Sequence, residues 1–263
     1  MGKVIGVVSL KGGVGKTSSV VALGEAISQF NKKVLLIDAN FSAPNLGLHL
    51  NIVEPDITLH HVLNGKAHIK DAIYAFGNID VIPCSIFNRS IINPLLLKNK
   101  INSLKKRYDV ILIDSAPSLN EETLSVILAS DELLLVTTPD HLSISTILKA
   151  SKLAKQRGAL INGLILNKVH KKDFELSLDE IEKTTEIPVM AVIPHDLNIL
   201  KSLSKFTPCV GFKPKAESSI EYKKLAAVLI GEKYKPFNLR NFVRITPKRQ
   251  EINREVFYEG LFK

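Results

Sequence analysis

The chain has 263 residues, of which 45% are hydrophobic and 23% charged. That balance excludes a disordered chain and suits one large α/β core, while no uninterrupted apolar run approaches the roughly eighteen residues of a membrane-spanning helix. The net charge of +9 favours an anionic partner, nucleic acid or a membrane surface, without choosing between them.

In chain order, the first residues enter an apolar segment with no basic leader or small-residue cleavage site, so no signal peptide is expected. Residues 3–9 are rich in β-branched side chains and read as a strand; 17–30 has apolar residues at helical spacing. A strand follows at 33–37 and a weaker one at 79–83, then strands at 110–113, 132–137, 163–166 and 189–193. Helical patterns lie between or after them at 121–129, 143–156, 177–185 and 220–230. The strands are nearly continuous in hydrophobicity rather than alternating, which predicts burial on both faces. Strand and helix taking turns predicts an α/β fold, a mostly parallel twisted sheet flanked by helices on both faces. No repeat or linker interrupts residues 1–231, read as one domain; residues 232–263 read as a basic appendage ending in a short helix over 250–262. Cys84 and Cys209 are far apart and read as core fillers in a reducing compartment. The histidines have no metal-ligand spacing, and the His60-His61 pair reads as a solvated loop or helix edge.

The chemistry begins where strand 3–9 runs into Lys11-Gly12-Gly13-Val14-Gly15-Lys16-Thr17-Ser18 ahead of a helix. The phosphate-loop pattern G-x-x-x-x-G-K-[ST] wants glycine at position 10, where Leu10 stands. The physics is preserved nonetheless. Gly12, Gly13 and Gly15 let successive main-chain N–H groups turn inward around an oxyanion, and the helix adds its own N-terminal amides and dipole. Lys16 is placed to bridge the β- and γ-phosphates, and the Thr17 hydroxyl to ligate Mg²⁺. Near residue 114 an apolar strand closes on an aspartate, the expected position of a second magnesium-holding group, Asp114.

The loop resembles the deviant Walker A motif of the MinD/ParA family of P-loop ATPases, and four motifs over residues 1–231 follow that family's order. The resemblance implies a P-loop NTPase, a Rossmann-like three-layer fold, binding ATP/ADP with Mg²⁺. It implies that Lys11 reaches the nucleotide of a second subunit, so that ATP drives a homodimer. Leu36-Ile37-Asp38-Ala39-Asn40 resembles the family's first switch, with Asp38 as its first carboxylate and Asn40 where a water-positioning aspartate usually stands. An amide can hold a water but cannot take its proton, so slow hydrolysis is expected. Asp114-Ser115-Ala116-Pro117-Ser118-Leu119 resembles the second switch. Asn167 matches an adenine-contacting asparagine, Pro194 and Asp196 match a loop over the base, and His170 stands where a guanine-binding aspartate would be needed.

The 45–50 run is most similar to archaeal MinD-like sequences, which implies an unidentified protein partner and peripheral attachment to the inner face of the cell membrane. Against lipid binding, Glu251, Glu255 and Glu259 share the proposed tail helix with Ile252, Val256, Phe257, Leu261 and Phe262. A ParA-like alternative would have Lys233, Arg240, Arg244, Lys248, Arg249 and Arg254 contact DNA phosphates without sequence preference. A third reading, prompted by Asn40, is a nucleotide-stabilised scaffold with little turnover.

Overall fold

Strand side chains alternate between two apolar layers, which is why the strands read as continuous hydrophobic runs. Val4 and Val8 enter one cluster and Ile5 and Val7 the other; Leu35, Ile37 and Ala39 oppose Val34 and Leu36 in the same way. The computed structural model describes residues 1–88 and 90–234. The helix expected over 250–262 lies outside the described residues, as do the basic tail residues other than Lys233.

Eight strands form one sheet: β1 (Lys3–Val8), β2 (Val34–Ala39), β3 (Tyr74–Phe76), β4 (Ile79–Ile82), β5 (Val110–Ser115), β6 (Glu132–Thr137), β7 (Leu160–Val169) and β8 (Val189–Pro194). Their order is β3-β4-β2-β5-β1-β6-β7-β8. All neighbours are parallel except the β3–β4 hairpin, whose turn contains Gly77 at φ 56. The first five helices are α1 (Lys16–Ser28), α2 (Leu46–His49), α3 (Leu59–Leu63), α4 (Leu97–Ile101) and α5 (Glu121–Ala129). The rest are α6 (His141–Gln156), α7 (Leu178–Thr185), α8 (Leu197–Leu203), α9 (Cys209–Phe212) and α10 (Glu217–Ile230). Buried side chains of α3 to α7 join one apolar layer, and those of α1, α2, α9 and α10 the other. The expected three-layer α/β fold is what forms.

The central strand β1 lies between β5 and β6. From β1 the chain leaves through α1 towards β2, whereas from β5 it crosses through α5 to β6. Connections that diverge in this way leave a crevice at the carboxyl ends of the strands. The phosphate-loop segment lies there.

Two expectations need correction. His60 is not a solvated edge: it is 2% exposed, packs its ring edge-on against Phe41, and accepts a hydrogen bond at Nδ1 from the Ser85 amide. Strand 163–166 also proves to be the middle of the longer β7, which has strand partners on both sides. The short elements β3, α2, α3, α4, α8 and α9 hold three to seven residues each, too few for a hydrophobic period to repeat. Both cysteines are free and buried, as read.

Candidate nucleotide site

The loop between β1 and α1 takes its shape from two left-handed glycines. Gly13 has φ 76 and Gly15, the N-cap of α1, has φ 88; side chains are disfavoured there. A Cβ on Gly15 would also collide with the Asn167 amide, whereas Gly12 and Gly13 face open space. That open space is part of a cleft of about 400 Å³. Lys11, Gly12, Gly13, Val14, Gly15, Lys16, Thr17, Ser18, Asn40, Asn167, Pro194 and Asp196 all border it. The sequence candidates from four separate segments therefore converge on one cavity.

Asp38 and Asp114 lie beneath it as register partners on β2 and β5, both fully buried. Lys16 Nζ is 2.5 Å from Asp114 Oδ1, and Thr17 Oγ1 donates to Asp114 Oδ2 at 2.6 Å. A lysine, a hydroxyl and a carboxylate are thus gathered at the floor of the glycine loop. Asp38 serves its own loop: its carboxylate accepts from the amides of Asn40 (3.0 Å), Asn45 (3.1 Å) and Leu46 (3.0 Å). Burial, then the neighbouring Asp114 charge, pushes the Asp38 carboxyl up to about 7, against the Asn40 and Leu46 amides and Lys16, which favour its charged form.

Asn40 is 4% exposed and donates through Nδ2 to the Ala43 carbonyl, leaving Oδ1 buried without a partner. Asn167 is built alike: Nδ2 donates to the Val14 carbonyl at 2.7 Å and Oδ1 is buried and unpaired. Buried acceptors without donors are costly, so these two atoms at the cleft are what a donor-bearing ligand would satisfy. With the open glycine cradle and the hard oxygens of Thr17 and Asp114, the residues fit a purine nucleotide and magnesium.

Lys11 does not extend outward. Its Nζ is 2.7 Å from Ser143 Oγ and 3.3 Å from both Asp140 oxygens, at the N-terminus of α6. Burial would raise the Asp140 carboxyl, but bonds from Ser143, Thr138 and Lys11 outweigh it and hold the group well below the usual carboxylate range. Asp196 is likewise engaged, capping α8 through Asn198 and accepting from Ser218 Oγ at 2.6 Å.

Sequence reasoning missed several residues. Lys168, at φ 57, donates from Nζ to the Gly13 carbonyl at 2.7 Å and, with Asn167, ties the glycine loop to the end of β7. His195 borders the cleft and stacks on His170 with centroids 4.5 Å apart. His49 enters the cleft from α2. No spacing rule marks them; the signal was position alone, Lys168 beside Asn167, His195 between Pro194 and Asp196, and His49 within the 45–50 run.

Sheet order, glycine loop and the lysine–threonine–aspartate cluster define a P-loop NTPase. The family model described as an AAA domain matches residues 2–163. The chain belongs to the MinD/ParA family of P-loop ATPases. It is 35% identical to an uncharacterized ATP-binding protein of Methanocaldococcus jannaschii, covering 98% of this chain and 96% of the relative. Among solved structures, the cell division ATPase MinD of Pyrococcus furiosus superposes with a TM-score of 0.82 at 35% identity, over 86% of this chain and 97% of that one. The septum site-determining protein MinD of Pyrococcus horikoshii, complexed with Mg-ADP, gives 0.83 at 33% identity, over 87% and 96%.

Proposed function

We propose that this protein is an ATP-binding, slowly hydrolysing molecular switch that dimerises with ATP and organises protein partners in space, as a MinD-like ATPase. The observation that carries the reading is the convergence of Lys16, Thr17 and Asp114 beneath the left-handed glycine loop, with the free acceptor of Asn167 on the same cleft. In this reading the loop amides from Gly12 to Ser18 hold the phosphates, Lys16 leaves Asp114 to meet the β- and γ-phosphate oxygens, and Thr17 with Asp114 holds Mg²⁺. Magnesium supplies charge neutralisation of the phosphate oxygens. Asn167 takes the exocyclic amine of adenine, while Pro194 and Asp196 shape the wall beside the base.

Asn40 orients the attacking water through its free Oδ1, and because it cannot accept a proton, turnover is slow. Asp38 holds the switch loop in place through the amides of residues 40, 45 and 46. Lys11 exchanges Asp140 and Ser143 for the nucleotide of a second copy, which makes the dimer depend on the γ-phosphate. The cytoplasmic face of the membrane is the proposed place of action. Peripheral attachment is the proposed mode; among the described residues no helix is long and apolar enough to cross a membrane. The relatives that carry cell-division names support this class of role.

The test is titration calorimetry with Mg-ATP on the parent and Lys16→Ala. Binding heat in the parent that is lost in the variant supports the reading; the absence of heat in the parent removes it.

A further inference from the structure

Asn40 leaves a chemical gap. If the cleft cleaves a phosphoanhydride, some group must take the proton of the attacking water, and the amide cannot. One titratable side chain on the cleft carries a buried nitrogen that is free to accept a proton. His49, the last residue of α2, borders the same cavity as Asn40 and the glycine loop, and its Nδ1 is buried without a hydrogen bond.

Its segment is held in place. The His49 amide donates to the Asn45 carbonyl at 3.1 Å, and the Asn45 and Leu46 amides are tied to the Asp38 carboxylate. The ring is therefore carried by the loop that also carries Asn40. The charged groups that face it are Lys16 on α1 and Asp114 on β5, with Asp38 on β2 bonded to the start of its helix. Burial, and secondarily the Lys16 charge, disfavour the imidazolium more than Asp114 favours it, so the ring stays neutral and keeps a lone pair near pH 7.

We propose that His49 is the proton acceptor for ATP hydrolysis in this chain and stands in for the carboxylate that Asn40 lacks. This inference rests on the ATPase reading above. Asn40 Oδ1 and His49 Nδ1 hold one water between them. The water oxygen bonds to the γ-phosphorus as the bond from that phosphorus to the β,γ-bridging oxygen breaks. ADP leaves with the bond's electron pair, inorganic phosphate forms, and the water proton passes to His49 Nδ1, from which it returns to solvent.

The experiment compares the parent with His49→Gln, His49→Leu, Asn40→Asp and the His49→Leu/Asn40→Asp double variant. Mg-ATP binding is measured by calorimetry, phosphate release by steady-state assay, and the imidazole nitrogens by NMR. The expected result is ATP binding within about threefold of the parent in every variant. Turnover falls at least tenfold in both His49 variants and returns to the parent level or above when Asn40→Asp is added. The His49 Nδ1 resonance shifts when the non-hydrolysable analogue AMP-PNP and Mg²⁺ are added to the parent.

The inference is overturned by parent-like turnover in His49→Leu, by a loss that Asn40→Asp does not restore, or by a His49 resonance that stays still. Loss of ATP binding in both His49 variants also overturns it, because the histidine is then structural. A parent that binds ATP without any turnover overturns this inference while leaving the binding switch intact; a parent that binds no ATP fails the functional reading itself.

Discussion

The two lysines of the glycine loop are held in opposite ways. Lys16 is 7% exposed, and its partner Asp114 is fully buried at the end of a central strand. Lys11 is 39% exposed, and its partner Asp140 43%. The sheet register fixes the first pair, while the second joins a rim loop to a helix end through side chains alone. A buried ion pair is expensive to break without a replacement, whereas an exposed one is worth a fraction of a kcal/mol to about 1 kcal/mol. The floor of the cleft is therefore built to bind, and its rim to change partners.

The largest effect that separates the two regions is expected from Lys16→Ala. It removes the proposed charge-assisted contact to phosphate, worth about 3 kcal/mol, roughly a hundredfold in Kd by calorimetry. It also leaves Asp114 without its cation, so the nucleotide-free protein should lose on the order of 3 kcal/mol in denaturant unfolding. Lys11→Ala should show neither change: its Kd for Mg-ATP should stay within about threefold of the parent, because its present bonds run to Asp140 and Ser143 on the rim. It should instead lose ATP-dependent self-association in light scattering. Equal losses of ATP affinity in the two variants would erase the distinction.

Asn40→Asp comes next and sharpens the chemical half of the comparison. Supplying a carboxylate beside the cleft should raise phosphate release roughly tenfold or more; an unchanged or lower rate would overturn the proposal that Asn40 slows turnover. Asp140→Asn is a smaller change, weakening the hold on Lys11 at the rim. The depressed Asp140 carboxyl contributes stability that is whole above about pH 4, its unfolded value, and is lost as the pH falls below that. The melting-temperature gap between parent and Asp140→Asn should accordingly be present at neutral pH and close on acidification. His60 should give the smallest signal. Burial lowers its imidazole below the ordinary value, so its contribution is complete above about pH 6.5 and declines as the pH falls. Melting curves of His60→Phe between pH 7 and 5 should show a shallower loss than the parent.

The long elements were legible because their hydrophobic periods repeat. The helix over 121–129 matches α5 residue for residue, and strand 189–193 falls one residue short of β8. The glycine loop was legible because its chemistry lies in one continuous stretch. Lys168 and His49 were hidden for a different reason: their roles exist only after folding brings β7 and α2 to the loop. His60 misled because a polar pair in a short segment looks solvated, whereas Phe41 and the Ser85 amide give it a buried setting. The engagement of Lys11 with Asp140, 129 positions away, had no local signal at all.

Sedimentation of the full chain with Mg-AMP-PNP and, separately, with Mg-ADP tests the switch most directly. The predicted result is a dimer with the triphosphate analogue and a monomer with the diphosphate. The same mass under both conditions would contradict the exchange of Lys11 from Asp140 to a second subunit's γ-phosphate.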